Sequence, residues 1–244
     1  MTPASPIRLG VLTPSSNTAL EPLTAAMVGA VPGVSAHFAR FAVTEISLAQ
    51  QALGQFDDDK IIAAARLLAD ARVHVIGWSG TAAGWLGFEH DRRLCRRIED
   101  ATGIAATTSV LALNEIMART GRRAFGLASP YIDDVQARIV AHYAEAGFRC
   151  VAESHLGISV NFDFAEVDAA TLTRQVRDLA AHRPQAIATY CTNLRAAHLV
   201  PQWEAELGIP VFDTTATVVW KMLRMAGIDT TRVAGWGRLF QEAI

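Results

Sequence analysis

Two textures of apolar and polar positions alternate along the chain. One is a short unbroken apolar run; the other is a longer stretch with apolar residues every three or four positions. Ile7-Arg8-Leu9-Gly10-Val11-Leu12 is of the first kind and is closed by Thr13-Pro14-Ser15-Ser16-Asn17. It reads as a buried strand feeding a polar loop, with Pro14 barring continuation of the strand. Residues 18–28 read as a helix interrupted near its start by Pro22, and 34–43 as a second strand. Asp57-Asp58-Asp59 then opens a helix over 60–71, its carboxylates placed where the helix dipole favours them. Ile61, Ile62, Ala65, Leu68 and Ala69 share one face of it. Residues 73–78 are a third strand, 79–88 a Gly-rich turn and 89–101 a helix. A further strand and loop at 103–108 lead into a helix over 110–119, which Gly121 ends.

At Arg123 the pattern starts again. Arg123-Ala124-Phe125-Gly126-Leu127-Ala128-Ser129-Pro130 matches the first strand and its proline in kind. The strand of residues 73–80, ending at Gly80, is matched by the strand of residues 186–191, ending at Cys191. Gly103-Ile104-Ala105 is matched by Gly208-Ile209-Pro210, and Thr107-Thr108-Ser109 by Thr214-Thr215-Ala216 ahead of an apolar helix over 218–226. Four landmarks in one order imply two homologous halves. The alternation within each half implies βαβ units, hence an α/β fold with two pseudo-symmetric Rossmann-like domains, each a mostly parallel sheet flanked by helices. The expected division is 1–118 plus 217–244 for the first domain and 119–216 for the second.

Composition narrows the function. Of 244 residues, 22 are basic and 24 acidic, with no basic run, which speaks against nucleic acid as a partner. No apolar run approaches the ~20 residues of a membrane span, and the first residues lack a signal pattern; the expected location is the cytoplasm. Cys95, Cys150 and Cys191 are far apart and the seven histidines are scattered, so neither a disulfide framework nor a metal site is expected.

Ligands of such sheets bind at the carboxyl ends of the strands. The loops there, 13–17, 79–84 and 107–109 in the first half and 129–134, 191–193 and 214–217 in the second, are rich in Ser, Thr, Asn and Gly. Neutral donors and helix N-termini of this kind suit a carboxylate or an enediolate. Asn17 reads either as the cap of the following helix or as a ligand, and Thr192 and Asn193 carry the same ambiguity.

These residues carry a resemblance. Pro14-Ser15-Ser16-Asn17 is similar to the maleate cis-trans isomerase branch of the aspartate/glutamate racemase superfamily. Residues 128–135, 168–172 and the tail Gly235-Trp236-Gly237-Arg238-Leu239-Phe240 resemble arylmalonate decarboxylase. The likeness runs over nearly the whole chain. It implies two domains clasping a small dicarboxylate in the cleft between them, without metal or organic cofactor. Racemases of the superfamily carry a cysteine on each side of the substrate carbon, whereas the decarboxylase has glycine at the first position. Gly80 and Cys191 are the decarboxylase arrangement, and Gly80-Thr81 reproduces its Gly-Thr pair.

The resemblance therefore implies decarboxylation of a substituted malonate-like diacid through an enediolate that Cys191 protonates. It makes Thr81, the backbone of Ala82, Tyr131 and the backbone of Thr192 the dioxyanion site. It places Pro14, Ser15, Asn17, Arg40, Val43 and Gly80 around the pocket, with Asn161 and Phe164 at further lining positions. An arginine and an asparagine would spoil an apolar pocket for departing CO₂ and suggest a second polar group on the substrate. Two alternatives stand beside this reading: isomerisation or one-base chemistry on a small dicarboxylate such as maleate, and a catalytically silent carboxylate-binding protein.

Overall fold

The computed structural model describes residues 6–241. Its elements run β1 (Ile7–Pro14), α1 (Leu20–Gly29), β2 (Val34–Phe41), α2 (Gln50–Leu53), α3 (Asp58–Asp70), β3 (Val75–Trp78), α4 (Ala83–Leu86), α5 (Phe88–Thr102), β4 (Ala106–Thr108) and α6 (Ser109–Arg119). The second half runs β5 (Ala124–Ala128), α7 (Asp133–Glu145), β6 (Arg149–Ser154), α8 (Ala169–Ala180), β7 (Ala186–Thr189), α9 (Val200–Leu207), β8 (Val211–Asp213) and α10 (Thr214–Met225). Two four-stranded sheets result, ordered β2-β1-β3-β4 and β6-β5-β7-β8, with every strand pair parallel. The same order in both sheets is the structural form of the repeat in the sequence, and the α/β class expected from it is what is found.

Local chemistry explains the element starts. The Asp57 carboxylate accepts from the Asp59 N–H and caps α3. Thr108, Asp168 and Asp213 cap α6, α8 and α10 in the same way. Two expectations shift. The stretch read as a Gly-rich turn contains the single helical turn α4, held by the Leu86 N–H on the Ala82 carbonyl. Helix α10 begins at Thr214 rather than 218, because Asp213 supplies its cap immediately after the strand.

Helix α10 follows the second sheet but packs on the first. A Cβ on Gly77 of β3 would lie 2.5 Å from Met222 Sδ and 2.8 Å from Val218 Cγ2. Only glycine lets helix and strand approach this closely. The Thr217 hydroxyl donates to the Ser109 carbonyl, tying α10 to α6. The halves are joined again over the strand ends, where Glu45 pairs antiparallel with Val160. The Ile46 N–H donates to Ser159 and the Asn161 N–H to Thr44 there.

Candidate functional site

A cavity opens between the carboxyl ends of the two sheets. Pro14, Val43, Ile46, Phe56, Trp78, Gly80, Thr81, Ala82 and Trp85 line it from the first half, and Tyr131, Asn161, Cys191 and Thr192 from the second. Its interior volume is only about 20 Å³, room for about one water and far below the ~300–1,000 Å³ of drug-sized ligand sites. Gly80 follows β3 and Cys191 follows β7, so the repeat brings the two strand ends to one cavity.

Cys191 is 3% exposed. Burial pushes its thiol up to about 12, against partial compensation from the Tyr131 hydroxyl and the backbone N–H groups of Asn193 and Leu194. The Asn193 N–H lies 3.4 Å from the sulfur. The group is a thiol at neutral pH, able to give a proton and poorly able to take one. The Tyr131 hydroxyl stands 2.6 Å from Thr81 Oγ1, joining the halves across the cavity floor. Burial raises Tyr131 well above the ordinary phenol range, with the Cys191 charge adding to it. Edge contacts with Trp85 and Phe164, at 5.4 and 5.6 Å between ring centroids, hold its ring.

Asparagines fix the neighbouring loops. Asn17 Oδ1 accepts from the N–H groups of Ala19 and Leu20 at 3.0 and 2.9 Å, while its Nδ2 reaches Thr192 Oγ1 at 3.4 Å. Asn193 Oδ1 accepts from Thr18 and Ala19, and its Nδ2 donates to the Asn161 carbonyl. The Thr192 hydroxyl donates to the Ser79 carbonyl at 3.1 Å. Cap and cross-link are thus one device: the start of α1 is secured by residues next to Cys191.

Several expected pocket residues lie elsewhere. Arg40 does not line the cavity; its guanidinium forks onto Glu21 at 2.8 Å for each bond, donates to the Ser15 carbonyl, and is 42% exposed. Ser15 is exposed, its hydroxyl engaged with the backbone of Val43. Asn17 is buried behind the wall as cap and strut. Phe164 is buried behind Tyr131. Asn161 does reach the cavity, but its side-chain amide donates to Ser16 Oγ at 2.7 Å. Ile46 and Phe56 were not anticipated, because they come from the connection between β2 and α3, where no periodicity marks a functional segment. Phe56 packs edge-on against Trp85 at 5.7 Å. With Arg40 outside, Asn161 is left as the polar side chain beside the apolar Val43, Ile46 and Phe56.

Among the described residues no group of three or more His, Cys, Asp or Glu side chains is arranged to hold a metal ion. No described helix is long and apolar enough to cross a membrane. Cys95 and Cys150 lie outside the cavity, and burial raises both thiols.

The comparisons with known proteins agree with this architecture. A family model described as arylmalonate decarboxylase matches residues 10–240. The arylmalonate decarboxylase of Bordetella bronchiseptica is 31% identical over 188 residues, covering 76% of this chain and 78% of its own. A maleate isomerase of Pseudomonas putida is 25% identical over 248 residues, covering 97% and 98%. In fold, the crystal structure of a maleate isomerase from Pseudomonas putida S16 with maleate matches with a TM-score of 0.89 at 24% identity, covering 97% of this chain and 98% of that one.

Proposed function

The chain belongs to the arylmalonate decarboxylase family, and from that premise we propose that it is a cofactor-independent decarboxylase of a small substituted malonate. The observation that carries the reading is the pairing of one thiol, Cys191, with a glycine, Gly80, on the two halves of a single cavity. A two-base racemase needs a thiolate on one side of the carbon and a thiol on the other, and residue 80 supplies neither.

In this reading the substrate enters with one carboxylate toward Thr81, Ala82, Tyr131 and Thr192. The other lies against the apolar wall of Val43, Ile46 and Phe56. A carboxylate there is poorly solvated, which favours its loss as neutral CO₂. The C–C bond breaks and its electron pair passes into an enediolate whose oxygens meet the hydroxyl and backbone donors. Each well-aimed donor contributes ~2.7–4 kcal/mol in a dry site. Cys191 then gives its proton to the carbon from one face and recovers one from solvent. The raised thiol suits an acid that must stay protonated until an enediolate carbon, far more basic than a thiolate, demands the proton.

The test is incubation of purified protein with 2-methyl-2-phenylmalonate and other unsymmetrically disubstituted malonates while CO₂ and product chirality are followed. A single enantiomer, abolished by Cys191→Ala, is the expected result; absence of turnover on every malonate sinks the reading. Isomerisation of a small dicarboxylate is the second reading, supported by the Pro14-Ser15-Ser16-Asn17 loop and the contact of Asn17 with Thr192. Conversion of maleate to fumarate, followed by absorbance, would favour it. Binding of dicarboxylates without any turnover would favour a silent binding protein.

A further inference from the structure

Residue 80 has no side chain, and the space that one would need is taken. A Cβ built on Gly80 would lie 2.1 Å from Cζ2, 2.4 Å from Cε2 and 2.5 Å from Cη2 of Trp78. Side chains two apart along a strand project from the same face, and the large indole at the end of β3 continues over the residue beyond. Trp78 is 1% exposed and packs on Phe41 at 5.0 Å between ring centroids. It also lines the cavity. Room for a side chain at residue 80 therefore comes at the expense of either the core or the cavity.

The indole edge has a second property. Trp78 Nε1 is buried and has no hydrogen-bond partner among the described residues. It is bonded to Cε2, one of the atoms nearest Gly80, so this edge is turned toward position 80. Buried donors are nearly always paired. Trp85 Nε1 in the same cavity lining is unpaired too, but only the Trp78 ring lies against position 80, where its N–H can meet an acceptor that a ligand brings.

We propose that Trp78 stands where a second acid would stand: its ring excludes a side chain at residue 80, and its Nε1–H donates a hydrogen bond to an oxygen of the bound substrate across the cavity from Cys191. The identity of that substrate rests on the decarboxylase reading above. Indole is a donor only and keeps its proton at any working pH. It stabilises a carboxylate or enediolate oxygen without protonating carbon. Delivery from the Cys191 face is then enforced by the volume of Trp78 as well as by the absence of a second thiol.

A double-mutant cycle tests the steric part. Gly80→Ala lowers Tm by several degrees in the natural background and by less than half as much beside Trp78→Leu, with Trp78→Met as the alternative background if the leucine variant does not fold. Equal losses with and without Trp78 overturn it. Trp78→Phe tests the donor, since it keeps a ring and removes the N–H. We expect kcat/KM on a malonate that the enzyme turns over to fall about tenfold, the scale of one hydrogen bond to a charged group; an unchanged value overturns the donor role. If no malonate is turned over, the decarboxylase reading falls alone. The donor is then read from calorimetric titration with succinate and maleate, where Trp78→Phe again weakens Kd about tenfold. Equal Kd values, or no binding to either protein, overturn it. The Tm cycle is independent of turnover in every case.

Discussion

The hydroxyls of Thr81 and Tyr131 meet at 2.6 Å, one residue from each half of the chain. Both are buried, and both line the cavity. Tyr131→Phe removes the phenol and leaves the Thr81 hydroxyl short of a partner. Under the proposed mechanism kcat falls about 10²–10³-fold, as when one oxyanion donor is lost. Unfolding in urea shows a loss of about 1–3 kcal/mol. A change in stability with kcat intact would make the pair structural only.

Cys191 is predicted to be a slow nucleophile. Its thiol is raised to about 12 and is 3% exposed, so iodoacetamide modifies it far more slowly than a free cysteine at pH 8, where an ordinary thiol near 8.5 is partly ionised. Saturating dicarboxylate slows it further. Mass spectrometry of the alkylated peptide measures both rates. The linkage has a definite sign. The folded thiol is raised above its unfolded value near 9, so the stability tied to it is fully present below about pH 9. That stability is lost as pH rises toward about 12. A Cys191→Ala variant lacks this alkaline loss.

Asp213 has the same sign in a lower window. Burial raises its carboxyl from 3.8 to about 6, although Thr189 and the backbone of Thr215 and Ala216 donate to it. The folded state holds the proton more tightly than the unfolded chain, so stability tied to Asp213 is lost as pH rises from about 4 to about 6. Asp213→Asn keeps the helix cap and abolishes this titration. Relative to the natural protein, the variant gains stability across that window, on the order of 3 kcal/mol by pH 7. Urea titrations at pH 4 and pH 7 measure the difference.

Arg40 is predicted to be dispensable for catalysis. Its guanidinium is committed to Glu21 and the Ser15 carbonyl outside the cavity. Arg40→Ala changes kcat/KM by less than about twofold and costs up to ~1 kcal/mol, the scale of an exposed ion pair. Asn161→Ala, by contrast, removes the donor to Ser16 within the cavity wall and raises KM. Steady-state kinetics on the two variants side by side separate them.

The fold was legible early because its signals are local and repeated. Apolar runs with prolines at their ends, at Pro14 and Pro130, mark strands whatever surrounds them. The capping carboxylates at Asp57 and Asp168 act within four residues. The cavity lining was legible where it follows from strand ends, as with Gly80, Thr81, Cys191 and Thr192. It was illegible at Ile46 and Phe56, which lie in a connection without periodicity. It was misread at Arg40, because a position in a strand does not reveal whether a long side chain finds an acid such as Glu21 first.

The amino-acid sequence by itself determined the repeat, the two parallel sheets and the single cysteine at the end of β7, since each depends on the order of residues along the chain. Only the tertiary structure decided what occupies the space beside Gly80, which side chains wall the cavity, and that the thiol of Cys191 is raised. Those properties depend on atoms distant in sequence: the Trp78 ring seated on Phe41, Tyr131 reaching Thr81, and the burial of a sulfur between two halves that fold over one another.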